Sequence, residues 1–236
     1  MEDDNPSAPI AKLQPLAMNG GHFNIKDNEK FLEALSLLKE SLFDDGASMF
    51  CSDNLITWNK NLSFLRDERF LQILADPKAG LVDQSIIWRT YILLYFANLS
   101  LDLDGDFVEC GTYEGHTASW IFQDCNLENS GKQFWLYDLF EWTVGDQHTK
   151  LAELSNPELY KKVASRFSQY PNVNIIKGSV PASFSEGFPD EIAFCHIDMN
   201  HHVPEAGALQ AVLPKLVKGG SIVFDDTEVS EMPVPA

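Results

Sequence analysis

Apolar residues follow two different rhythms along this chain, and the change comes near residue 100. Before it, Phe31, Leu32, Leu35, Leu37 and Leu38 recur at helical spacing behind Asp27-Asn28, which predicts a capped helix running to about Phe43. Phe64, Leu65, Phe70, Leu71, Ile73 and Leu74 predict a second helix over Leu62–Ala75 that stops ahead of Pro77. A third, Gln84–Leu99, is more uniformly apolar, as a helix packed on a sheet or a partner subunit would be. Asp44–Asn59 keeps neither rhythm and reads as an irregular connection.

From Asp106 onward short apolar runs alternate with helical stretches. Strands are predicted at Phe107–Glu109, Gln133–Phe140, from Val173, at Ile192–Asp198 and at Gly219–Asp226. Helices are predicted at Thr117–Asp124, Pro157–Ser168 and Glu205–Leu216. This alternation predicts a mostly parallel α/β sheet. The chain then divides into a mobile arm over 1–25, rich in Pro, Asn, Gly and Asp, a helical region over 26–100 and an α/β domain over 101–236.

Composition narrows the classes. With 236 residues, 44% hydrophobic and 11% aromatic, the chain can bury a substantial core. There is no run of eighteen apolar residues, so no membrane-spanning helix is expected, and MEDDNPSAPIAKL lacks the basic and apolar regions of a secretory signal. A net charge of −18 argues against nucleic acid or an anionic membrane as partner, since phosphate binding needs clustered Lys and Arg. Cys51, Cys110, Cys125 and Cys195 form no C-x-x-C pair and read as buried free thiols of a protein in a reducing cytoplasm.

The segment DFVECGTYEGHTASWIF, Asp106–Phe122, carries most of the chemistry. An apolar run ends in Glu109, the chain turns through Gly111, Thr112 and Gly115, and a helix begins. Strand, glycine turn and helix in that order form the first unit of an open α/β sheet, where nucleotide-like ligands bind. The G-x-x-x-G spacing is not the G-x-G-x-x-G of dinucleotide sites, which counts against NAD and FAD and favours a cofactor without a pyrophosphate. Gly111 and Gly115 let the backbone approach such a ligand, and a helix N-terminus suits its carboxylate. Asp138 closes the next strand 23 residues past Gly115, close to the spacing at which an acid takes ribose hydroxyls. The plain alternatives are a solvated aspartate at a strand end and, for Glu109, a carboxylate held by a helix dipole.

E-x-G-x-x-x-G at Glu109–Gly115, QFWLYDLF at 133–140, IAFCHID at 192–198 and GGSIVFDD at 219–226 resemble class I S-adenosylmethionine (SAM) methyltransferases. Together, over roughly residues 85–228, they resemble the macrocin O-methyltransferase (TylF-like) family of metal-dependent sugar O-methyltransferases. The resemblance implies a Rossmann-like sheet with strand order 3-2-1-4-5 in a SAM-binding domain over 101–236. It places Glu109 near the methionine end of the cofactor. It also gives Ser179, after the third strand of that domain, a place beside adenine, where a plain loop serine is the competing reading. Trp142 could stack on adenine or substrate, or simply pack.

Two neighbouring strand ends deliver Asp198, Asp225 and Asp226 to one place. Three carboxylates without a cation would repel one another, so a hard divalent ion, Mg²⁺, is expected there as Lewis acid and template. The resemblance assigns metal positions to the same residues, although I-D-x-D-L-Y reads here Ile197-Asp198-Met199-Asn200-His201-His202. The base that takes the acceptor's proton is either His201, at the offset of the lysine base in metal-dependent catechol O-methyltransferases, or Asp198 itself. His196 reads as a satisfied core histidine, and His116 as a weaker candidate for cofactor contact. The expected activity is O-methylation of a sugar or other small diol, with a SAM-binding protein without turnover as the alternative. Ten residues follow Asp226, and two prolines among them do not build a central strand, so the usual C-terminal hairpin is expected to be missing and a homodimer to cover the edge.

Overall fold

The computed structural model describes residues 23, 25–42, 49–141 and 156–225. The chain separates into two compact units, Met1–Ile92 and Leu93–Ala236. The arm expected over 1–25 lies, except for Phe23 and Ile25, outside the described residues.

In the first unit, helix α1 (Asn28–Ser41) begins where expected: Asp27 caps it by accepting the Lys30 N–H at 3.1 Å. The segment read as an irregular connection is instead a hairpin of β1 (Met49–Ser52) and β2 (Leu55–Trp58), paired antiparallel with Ser52 opposite Leu55. Its two-residue turn, Asp53-Asn54, holds both residues at positive φ (54° and 56°), the geometry that matches strand twist and that Asp and Asn tolerate. Four-residue strands are too short to display alternation, and the region 26–100 is therefore not wholly helical.

The helix expected over 62–75 is split. A 3₁₀ turn, Ser63–Arg66, precedes α2 (Glu68–Leu74), because the Asp67 carboxylate takes the N–H groups of Arg69 and Phe70 and starts a new helix. The next expected helix is likewise two pieces, α3 (Leu81–Ser85) and α4 (Ile87–Leu99). The core of this unit is aromatic. Phe64 stacks on Tyr91 at 4.8 Å and meets Phe50, Phe70 and Trp88 edge-on. Asp53 ties the hairpin to α4, its buried carboxylate accepting the Arg89 backbone N–H and Nε–H, each at 2.8 Å.

The second unit is a five-stranded parallel sheet: β3 (Asp106–Cys110), β4 (Phe134–Asp138), β5 (Val173–Lys177), β6 (Ile192–Ile197) and β7 (Leu216–Phe224). Its order, β5-β4-β3-β6-β7, is the expected 3-2-1-4-5 counted from β3, and every neighbouring pair is parallel. Helices α5 (His116–Asp124), α6 (Leu159–Phe167) and α7 (His202–Val212) occupy the connections after β3, β4 and β6. β6 is buried along its whole length, as a central strand covered on both faces is. β7 begins three residues earlier than expected, and its register against β6 shifts between Ile192 and Phe194. Residues 226–236, where the missing hairpin was expected, lie outside the described residues. The four cysteines are buried, as expected, and none is in a disulfide.

Replacing Asp53 with Ala removes a buried acceptor from Arg89 and should cost the first unit about 2–3 kcal/mol, the range for hydrogen bonds to charged groups. Chemical denaturation followed by tryptophan fluorescence measures it. A loss below about 0.5 kcal/mol, the scale of an ordinary surface substitution, would contradict a stabilising role for this tie.

Candidate functional site

The C-terminal edge of the sheet is where the sequence-predicted residues gather. The backbone ladder there continues one residue past the strands. Gly178 donates to Asp138 (2.9 Å), Gly111 to Tyr137 (2.8 Å), Asp198 to Cys110 (2.8 Å) and Asp225 to Ile197 (3.1 Å). Each residue that leaves a strand is thereby pinned to the neighbouring strand before the chain turns away.

Gly111 sits at φ 95°, and a Cβ at this position would lie 1.6 Å from the Asp198 carbonyl oxygen. Its hydrogen side chain is thus demanded by the sheet itself, whatever ligand approaches. Gly115, at φ 73°, precedes α5, and a Cβ there would meet Phe167, Arg166 and Val163 of α6. Close packing against α6 accounts for that glycine. His116, at the start of α5, is turned to the same side: its Nε2 lies 3.2 Å from the Glu114 carboxylate, which also pairs with Lys162 at 2.7 Å.

Asp138 ends β4 and is nearly buried. One carboxylate oxygen accepts the Tyr113 N–H at 2.7 Å and the other the Phe140 N–H at 2.6 Å. Tyr113 and Phe140 both adopt positive φ (46° and 57°), so each turn is bent to aim an N–H at this carboxylate. Ser179 is exposed and follows Gly178, the residue bonded to Asp138. Trp142 and Asp226 lie outside the described residues.

Glu109 and His196 face each other in register across β3 and β6. They are 1% and 4% exposed, and His196 Nδ1 lies 3.0 Å from Glu109 Oε1. Burial pushes the Glu109 carboxyl above its usual range, against the pull of His196. Burial alone would lower His196, but the hydrogen bond and charge of Glu109, with Asp198 and Asp225 behind, raise it instead. Among the described residues, Oε2 of Glu109 and the Thr112 hydroxyl are buried without a hydrogen bond of good geometry, yet Thr112 lies close enough to pull the Glu109 carboxyl down.

A ring nitrogen of His196 and one carboxylate oxygen each from Asp198 and Asp225 all lie within 4.8 Å of one another. The two aspartates therefore converge as expected, and His196, read from the sequence as a core histidine, joins them. Its signal was positional: residues two apart on a strand share a face, so His196 and Asp198 belong to one side. Asn200, at φ 53°, donates its amide to Asp198 Oδ1 at 3.1 Å and steadies that carboxylate. His201 caps α7, with Nδ1 accepting the Val203 N–H at 3.1 Å. A neutral imidazole that accepts at Nδ1 carries its proton on Nε2, so His201 as placed presents a donor there.

Residues 108–227 match the family described as Methyltransferase domain. Among solved structures the chain is similar to the O-methyltransferase NovP: 18% identity, 62% of this chain, 67% of that one, TM-score 0.50. It is also similar to CalS11, the TDP-rhamnose 3′-O-methyltransferase of calicheamicin biosynthesis: 17% identity, 70% and 78% of the two chains, TM-score 0.44. A third is the methyltransferase PaMTH1 of Podospora anserina bound to SAH: 12% identity, 85% and 71% of the two chains, TM-score 0.45. Identities this low speak to the fold alone. No curated protein matches the chain.

Gly111→Ala combines a left-handed backbone, costing roughly 1–2 kcal/mol, with overpacking against backbone, costing roughly 1–3 kcal/mol. The variant should be destabilised by about 2–5 kcal/mol or fail to accumulate in soluble form. A melting temperature equal to that of the parent would show that the β3–β6 junction is not closed at this position.

Proposed function

The chain belongs to the methyltransferase-domain family, the class I enzymes that draw their methyl group from SAM, and from that premise we propose that it methylates a hydroxyl oxygen of a small diol-bearing acceptor such as a sugar, assisted by a divalent metal ion. The observation that carries this reading is the convergence of Asp198 and Asp225 with His196 within 4.8 Å, at the sheet edge that also presents Asp138. Two carboxylates and an imidazole brought this close would repel less around a cation, which supports reading the cluster as a metal site.

SAM supplies an electrophilic methyl on a sulfonium. What this chain supplies is placement, which for well-aligned reactants is worth roughly 7–11 kcal/mol. Asp138, at the C-terminal end of β4, takes the ribose hydroxyls. The turn Gly111–Gly115 and the N-terminus of α5 receive the amino-acid end of the cofactor, and Ser179 borders the adenine. Asp198 and Asp225 would hold a divalent ion, which when bound would supply Lewis-acid polarisation of an acceptor hydroxyl, and Asp198 would take the hydroxyl proton. One observation favours a second reading. Asn200 stands where the resembled motif has an acid and spends its amide on Asp198, which fits a SAM-binding protein without turnover.

Calorimetric titration of SAM and S-adenosylhomocysteine tests the cofactor assignment, with micromolar binding expected. Asp138→Ala should weaken it about 100-fold, the loss of two charge-assisted bonds of roughly 1.5 kcal/mol each. Unchanged affinity would remove Asp138 from the ribose role. In turnover assays with sugar and catechol diols, EDTA and Asp225→Ala should each abolish transfer while SAM affinity stays within about twofold. Tight binding with no turnover on any diol, metal present, would favour the second reading.

A further inference from the structure

We propose that His196 is a nitrogen ligand of the metal site, that Glu109 is the buried carboxylate orienting it, and that the resulting N,O,O donor set selects Mn²⁺ over Mg²⁺. This rests on the metal-assisted reading above and makes it more specific.

The geometry of β3 and β6 carries it. Glu109 and His196 are paired in register, so their side chains leave the sheet on one face, and the 3.0 Å contact occupies Nδ1. With Nδ1–H donated to Glu109, the imidazole lone pair sits on Nε2, the nitrogen available to a ligand. Among the described residues no hydrogen-bonding group is recorded on that second nitrogen, although the ring is only 4% exposed. Asp198 follows two residues later. Asp225 stands one residue beyond the β7 strand whose Val223 faces His196 in register. Donor atoms about 2.1 Å from a common ion stand about 3–4 Å apart, so a group already within 4.8 Å closes with small side-chain rotations.

A carboxylate bonded to the far nitrogen of a ligating histidine is the usual partner of such a ligand. It fixes the tautomer, holds the ring plane and raises ligand basicity. That gives the fully buried Glu109 a defined task, one the His196 bond supports directly. The donor set also bears on which ion is held. Carboxylates and water in an octahedron suit Mg²⁺ and Mn²⁺ alike, and an added imidazole moves the preference toward first-row transition ions, of which Mn²⁺ keeps the oxygen-rich octahedron.

The test is Mn²⁺ titration of the purified full chain followed by pulsed electron paramagnetic resonance, which detects nitrogen bonded directly to the ion. Wild-type protein should show ¹⁴N coupling that changes to the ¹⁵N pattern when histidine is ¹⁵N-labelled. The coupling should persist in His201→Gln and vanish in His196→Gln. Glu109→Gln should keep it while weakening Mn²⁺ binding at least about tenfold, the usual effect of losing such a partner. In competition, Mn²⁺ should displace Mg²⁺ when present at the lower concentration of the two. If His196→Gln does not fold, the labelled wild-type protein and His201→Gln still decide the matter. Bound Mn²⁺ without nitrogen coupling, coupling lost in His201→Gln, or equal affinity for the two ions would each overturn the proposal. S-adenosylhomocysteine binding in the same preparation reads the cofactor assignment separately. If that binding persists and neither ion binds, the metal site falls and the methyltransferase assignment stands.

Discussion

The site depends on a row of four backbone hydrogen bonds that carries the parallel ladder one residue past its strands, joining Gly178, Gly111, Asp198 and Asp225 to the strands beside them. Side-chain acids at strand ends are ordinarily loose, because the chain is about to turn and nothing fixes its direction. Here Asp198 and Asp225 are bound through their own amides, while Asp138 accepts through its carbonyl, so their Cα positions are as fixed as those of the sheet. Without that row the carboxylates could relieve their mutual repulsion by splaying apart. With it they remain close, and a cation or an imidazole is the available relief.

Relief from within the fold comes from the Glu109–His196 pair. A buried carboxylate and a buried imidazole, each costly to ionise alone, are held at hydrogen-bond distance by strand register. The pair links the first strand of the domain, whose turn is the candidate cofactor cradle, to the strand that delivers Asp198. The candidate cofactor side and the proposed metal side thus share one strand, and a change at Glu109 reaches both.

The strand-end acids were legible because an apolar run ending in Glu, Asp or Asp-Asp is a local signal that the parallel sheet takes up directly. Glu109, Asp138, Asp198 and Asp225 all lie where that signal points. Strand order became legible through the family resemblance of four short motifs, and helix α1 through its Asp27 cap. What stayed hidden has a common physical cause, the use of a polar group for a local bond that apolar rhythm does not register. Asp67 divides a helix with its carboxylate, Asp53-Asn54 turns a hairpin whose strands are too short to alternate, and His201 spends Nδ1 on a cap. His196 shows the converse. Burial marks it as core, and only register reveals that it faces Glu109 while sharing a side with Asp198.

The closed space at Gly111 has a consequence for how this site could be remade. The β3–β6 junction leaves no volume there for any side chain, so the position is locked by architecture rather than by ligand. Tyr113, two positions on, is exposed, and what its turn supplies to Asp138 is its backbone N–H rather than its ring. A library diversified at that side chain would leave both the junction and the Asp138 contact in place. One that included position 111 would fill with unfolded members before any chemistry could be sampled.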